Sequence, residues 1–147
     1  KVVRQGSGLN VDKKLYVETI VNNNRRLQPV IGKTQLKVGD KVVVRLTVRL
    51  DRTMDFVQLK DQRAACLEPV EVLSGYRNVG DVGCYVAVKD ASTDFFFDTL
   101  NKGTYVLEYS YRVDRAGSYE AGIATIQSAY APEYAAHSAS ARYEVSQ

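Results

Sequence analysis

The chain has one histidine, His137, and it stands in the stretch TIQSAYAPEYAAHSA, residues 125–139. Glu133 precedes it by four residues, Ser138 follows it directly, and Tyr130 and Tyr134 are close by. A carboxylate, an imidazole and a hydroxyl are the parts of a nucleophilic site, in which a base within hydrogen-bond reach activates the hydroxyl. The spacing argues against that use. Neighbours on a strand point to opposite faces, so His137 is badly placed to activate Ser138. No Gly-x-Ser-x-Gly turn presents a nucleophile either. No catalytic residue is assigned, a non-enzyme is expected, and His137 reads as a loop histidine bonded locally.

The acidic residues offer a second chemistry. Asp51, Asp55, Asp61, Asp90, Asp94 and Asp98 are scattered, and the last three fall four apart in KDASTDFFFD. On a helix they would form a carboxylate stripe. Phe95–Phe97 favour a strand or loop, where that spacing has no meaning, and a calcium loop needs a glycine and denser acids. No glycine-rich phosphate loop is present. Cys66 and Cys84 lack the further ligands of a zinc site. They read either as a disulfide closing a loop of moderate length or as two buried free thiols. No metal and no cofactor are expected.

The ten tyrosines, with no tryptophan, read mostly as sheet residues packed by the ring and satisfied at the hydroxyl. Tyr130 and Tyr134 differ because Ala131, Pro132 and Glu133 lie between them. Pro132 fixes its own φ and holds Ala131 extended, so a loop here can present Tyr130 rigidly to a neighbour.

The elements that must position these residues are strands. In KVVVRLTVRL, residues 41–50, Val42, Val44, Leu46, Val48 and Leu50 point one way. Val43, Arg45, Thr47 and Arg49 point the other, towards water. GTYVLEYSYRV, residues 103–113, puts Tyr105, Leu107, Tyr109, Tyr111 and Val113 on one face. Further strands are expected at 15–21, 54–60, 82–89, 93–98, near 119–128, and at 140–145. Glycine-bearing turns separate them at 38–40, 74–75, 79–81, 102–103 and 116–117. The polar segment NNNRRLQPV, residues 22–30, reads as a loop or boundary. Short strands at regular spacing predict an all-β, immunoglobulin/fibronectin-like antiparallel β-sandwich.

The totals bound the function. The 147 residues suffice for one domain with a proper core. Hydrophobic residues make up 45% and charged ones 25%, an ordinary globular balance. A net charge of +3, with both signs mixed and no basic cluster among stacking aromatics, argues against nucleic acid. No apolar run approaches the roughly 18 residues that cross a bilayer, so no direct membrane insertion is expected of this segment. The chain opens on Lys1 rather than methionine, which suggests a fragment of a longer protein.

Three stretches carry a resemblance. They are LKVGDKVVVRLTVRLDRTMDFVQLKDQRAACLEPV (36–70), FFFDTLNKGTYVLEYSYRVDRAGSYEAGIATIQ (95–127) and YAPEYAAHS (130–138). In this order and spacing they resemble the C-terminal domain of bacterial alpha-2-macroglobulins, over most of the chain from about Leu9 onward. The resemblance implies a single macroglobulin-type sandwich over residues 1–147, cut from a much larger protease trap. The parent would be periplasmic or in the cell envelope of a Gram-negative bacterium, lipid-anchored through its N-terminus. Its bait region would be cut by target proteases. A Cys-x-Glu-Gln thioester in another domain would then capture them.

In this family the C-terminal domain packs against the thioester domain, and a loop tyrosine helps keep water off the thioester. By the YAPE motif that residue is Tyr130, in a shielding or docking loop formed by Tyr130, Ala131, Pro132, Glu133, Tyr134 and His137. Glu133 and His137 would hold the loop. Neither a thioester motif nor a bait region occurs in this chain. Relatives with a thioester carry a larger apolar residue, such as methionine, just before the tyrosine; here it is Ala129. The competing reading is an immunoglobulin-like adhesion or carbohydrate-binding module, with Tyr76 or Tyr119 stacking on a ligand.

Overall fold

The computed structural model describes residues 2–3, 8–31 and 35–147. Fifteen strands follow one another: β1 (Val2–Val3), β2 (Leu9–Val21), β3 (Asn24–Pro29), β4 (Gln35–Lys37), β5 (Lys41–Leu50), β6 (Met54–Gln62), β7 (Leu67–Pro69) and β8 (Gly75–Val79), then β9 (Val82–Val88), β10 (Ser92–Leu100), β11 (Gly103–Val113), β12 (Gly117–Ala121), β13 (Ala124–Ser128), β14 (Ala131–Ser138) and β15 (Ala141–Ser146). No helix occurs among the described residues, and none therefore is long and apolar enough to cross a membrane.

One sheet has seven strands in the order β1-β14-β13-β6-β10-β9-β8, and the second has five, β3-β2-β5-β11-β7. A small third sheet, β12-β15-β4, contains the single parallel pairing described, β15 with β4. The two large sheets are antiparallel, and neither closes into a barrel. Both contribute to one apolar cluster. Val42, Val44, Leu46 and Val48 enter from β5, Leu59 from β6, Phe95 from β10 and Ile126 from β13. The alternation expected over 41–50 and 103–113 therefore gives two core strands with the expected ends. Removing one such side chain, as in Leu46→Ala, costs about 2–5 kcal/mol in lost transfer and cavity energy. Val43 is buried as well, on the far face.

The run expected near 119–128 is two strands in different sheets, β12 and β13, β2 starts at Leu9 rather than at residue 15, and two segments read as loops are strands. Residues 22–30 are not a loop or boundary. Asn22 and Asn23, both at positive φ, form a two-residue turn, and Asn24–Pro29 returns along β2 as an edge strand. Asparagine tolerates the left-handed region that such hairpin turns require. The stretch after Tyr130 is likewise not a long loop: Ala131–Ser138 is strand β14, paired with β13 and β1. Pro132 is tolerated because it lies outside the ladder. Ser128 pairs with Ala131 but Gln127 pairs with Ala135, so Pro132, Glu133 and Tyr134 bulge out.

The outer faces of the two sheets contrast. On the five-stranded sheet Arg45 pairs with Glu108 at 2.6 Å and stacks over Tyr16, and Glu18 meets Arg25 and Lys41. This is a solvated lattice of cross-strand charges. The seven-stranded sheet instead turns Phe96, Tyr85 and Tyr76 outward in one cross-strand row.

Candidate functional site

The β13–β14 hairpin carries the tip. Ala129 and Tyr130 are its two turn residues, and the hairpin is fastened to the start of β6 through Ser128 and Ala129. The Ala129 amide donates to the Phe56 carbonyl at 2.9 Å, and the Ser128 hydroxyl donates to the Asp55 carbonyl at 2.9 Å. Tyr130 is 76% exposed, and its ring stands edge-on to that of Phe56, with centroids 5.0 Å apart. Its hydroxyl makes no hydrogen bond among the described residues, so its free end faces solvent.

The bulge behind the tip is clamped from another segment. The Arg52 guanidinium stacks on Tyr134 at 4.7 Å and donates to its hydroxyl at 3.1 Å. Arg52 is itself bonded to Asp51 at 3.0 Å. That bond, with Tyr134 adding to it, raises the Arg52 pKa and lowers that of Asp51. His137 sits on β14 opposite Thr125, its Nδ1 2.9 Å from the Ser138 carbonyl oxygen. The Ser138 hydroxyl is buried and accepts from the Ala124 amide at 2.9 Å. Glu133 is exposed. Among the described residues no hydrogen bond joins the side chains of Glu133, His137 and Ser138. The parts of a nucleophilic site are near in sequence but are spent on the backbone or on water.

A second polar cluster lies between the sheets. Lys13 of β2 donates to Asp61 of β6 at 2.6 Å and to the carbonyls of Gln62 and Gly122 at 3.2 and 2.8 Å. The other Asp61 oxygen accepts from Tyr109 and, at 3.4 Å, from Tyr111. The Tyr111 hydroxyl is in turn 2.8 Å from that of Thr93. A side chain at Gly122 would strike the Gln62 carbonyl, so glycine lets this backbone approach β6 and reach Lys13. Burial pushes the Asp61 carboxyl up, against the pull of the Lys13 ammonium. Burial also raises Tyr109 and Tyr111 well above the ordinary phenol range. Every member faces another across the sandwich, which makes this an inter-sheet clamp.

The remaining candidates separate. Asp94 is buried on β10 and held by Lys89 at 3.0 Å, whereas Asp98 is exposed. Among the described residues no three His, Cys, Asp or Glu side chains are grouped to hold a metal. Cys66 and Cys84 are both buried free thiols, so of the two sequence readings the unbridged one is observed. Burial pushes Cys84 up to about 11 and raises Cys66 in the same direction.

Residues 8–133 match the family model of the bacterial alpha-2-macroglobulin MG10 domain. The chain belongs to that family. Solved structures agree on the fold. Salmonella alpha-2-macroglobulin reacted with methylamine superposes at a TM-score of 0.74 over 100% of this chain, at 20% identity. Escherichia coli alpha-2-macroglobulin from domain MG7 to the C-terminus gives 0.73 over 99% of the chain at 15% identity. The trypsin-activated E. coli protein gives 0.74 over 98% at 14% identity. The chain spans only 10% of the Salmonella protein and 24% of the E. coli fragment. No curated protein sequence matches it.

In this MG10 domain Tyr130 is exposed on a tight turn, as its neighbours in the sequence suggest, whereas its supports left no such signal. Phe56, Arg52 and Ser128 hold the hairpin, and only positive φ at Phe56 and register with β13 bring them there. Lys13 and Asp61 did leave a signal. Leu9, Val11 and Leu15 point inward from β2, and Lys13 takes the inward slot between Val11 and Leu15; Asp61 takes the one after Val57 and Leu59. Two opposite charges, each at an inward position, mark a pair across the core.

Proposed function

We propose that this domain is a docking module of a bacterial alpha-2-macroglobulin-type protease inhibitor, non-catalytic and C-terminal in its parent. Its Tyr130 tip presses against a neighbouring domain and, where that domain carries a thioester, covers it. The observation that carries this reading is a tyrosine 76% exposed on a hairpin turn fastened by two hydrogen bonds to β6. A lone flexible tyrosine would lose much rotamer freedom on docking; one braced edge-on by Phe56 loses less. The Salmonella relative has been reacted with methylamine, and the E. coli relative has been activated by trypsin.

A thioester persists only while water and amines are kept away, and an aromatic lid on a rigid hairpin can do that. Cleavage elsewhere in the parent would change how the domains pack and lift the lid, a two-state switch biased by altered contacts. Glu133 and His137 lie on the same hairpin and take no part in the chemistry. We place the parent in the periplasm or cell envelope, anchored by a lipid on its N-terminus, on the family resemblance.

The test is Tyr130→Ala in the intact parent, read as the rate of methylamine incorporation. The reading expects faster incorporation; an unchanged rate in a parent that does incorporate methylamine sinks the lid. One observation favours the adhesion or carbohydrate-binding alternative. Tyr76 is 82% exposed and lines up with Tyr85 and Phe96 across three strands. Tyr119 favours it less, being half-buried and packed against the core.

A further inference from the structure

Phe56 is the most unusual residue of the tip. It has φ of 51°, in the left-handed region, although it is neither glycine nor asparagine. The residue is 48% exposed although a core lies directly beneath the strand. A large aromatic in a disfavoured backbone conformation and facing water gains little for folding. What the conformation does achieve is geometric. It turns the ring outward beside Tyr130, edge to face at 78°, while the Phe56 carbonyl accepts the Ala129 amide.

Three acids, unpaired among the described residues, surround the two rings, while the nearby Arg52 on Tyr134 is already answered by Asp51. Asp55 is exposed beside Phe56, Asp98 lies opposite it between the Phe97–Val57 and Thr99–Asp55 register pairs, and Glu133 is exposed in the bulge. None of the three makes an ion pair among the described residues; Asp55 accepts only the Thr99 hydroxyl, at 2.9 Å. We propose that Phe56 and Tyr130 together form a two-ring wedge that enters an apolar pocket, rimmed by lysine or arginine, on another domain of the parent.

This rests on the docking reading above and adds to it a second anchor and the chemistry of the partner. Paired aromatics in a desolvated pocket are the usual dominant anchors of an interface, and the acidic rim selects a basic one. The strain at Phe56 is then retained because it presents the ring.

The experiment is hydrogen exchange of peptides covering 54–57 and 128–134, in the intact parent and in this chain alone. Both peptides are expected to be protected in the parent and less protected with rising salt. Phe56→Gly relieves the left-handed backbone and removes the ring. The chain alone should melt no lower than wild type, while in the parent both peptides lose protection by about tenfold or more, the scale of one interface anchor. Phe56→Asn, which also tolerates this backbone, should behave alike, and Phe56→Tyr should retain protection. If Tyr130→Ala loses protection but Phe56→Gly and Phe56→Asn keep it, the wedge is wrong and the single-tyrosine tip stands. If the peptides exchange equally fast in parent and isolated chain, the docking reading fails as a whole. Protection that is insensitive to salt overturns the basic rim.

Discussion

The clamp between the sheets and the tip of the β13–β14 hairpin are both built from tyrosines with an acid and a base nearby, yet they do opposite things. In the clamp, Tyr109 and Tyr111 spend their hydroxyls on Asp61, whose charge Lys13 answers. Lys13 and Asp61 expose 8% and 0% of their side chains, so removing any partner strands another in the dark. At the tip, Tyr134 is bonded but Tyr130 keeps its hydroxyl free and most of its ring in water. The same side chain thus serves cohesion where every polar atom is answered and, in the docking proposed above, recognition where one is left open.

Breaking the clamp should have the larger effect. Asp61→Ala leaves the Lys13 ammonium buried without its counter-charge, which costs about 3–5 kcal/mol. That is a large part of a domain's total of about 5–15 kcal/mol. A urea melt of this chain should show it, and a loss below about 1 kcal/mol would mean that the pair behaves as though it were at the surface.

Alkaline titration sharpens the contrast next. Burial raises Tyr109, Tyr111 and Tyr143, the last to about 12. Between the ordinary phenol value near 10 and these raised ones, the unfolded chain has lost protons that the folded chain still holds. This stabilisation is therefore fully present below about pH 10 and declines as pH rises beyond it. Phenolate absorbance from these three rings should appear together with loss of the β-sheet signal. Ionisation of Tyr109 or Tyr111 in a still-folded chain would show the clamp to be open to water.

The tip should be nearly silent in the same assays. Tyr130→Ala should shift the stability of the isolated chain by no more than about 0.5–1 kcal/mol, as for most surface changes, while acting strongly in the parent. A large loss of stability would make it a capping residue of its own core. Smallest of all, Arg52→Ala should leave the global melt unchanged and speed amide exchange only at Glu133 and Tyr134.

The parts legible in sequence were those where one face is buried and the other wet. Residues 41–50 and 103–113 kept their alternation, and the strands end where the pattern ends. Strand β3 was hidden because an edge strand with Arg25 and Arg26 facing water has no apolar face to show. Strand β14 was hidden because Pro132 and Glu133 punctuate the chain as a loop would, although they only leave the ladder briefly. Tyr130 was visible from its neighbours. Phe56 was not, since nothing in MDFVQLK announces that its backbone turns over.

The three-residue bulge at Pro132–Tyr134 has one more consequence. Side chains on a strand alternate with period two, so an odd insertion inside a ladder would turn every later residue to the wrong face. Here the surplus is confined between the Ser128–Ala131 and Gln127–Ala135 pairs, and beyond it the register of Ala136 and His137 is restored. A change of length confined to this stretch would therefore alter the reach and tilt of the tip and leave the register of the sandwich behind it as it is.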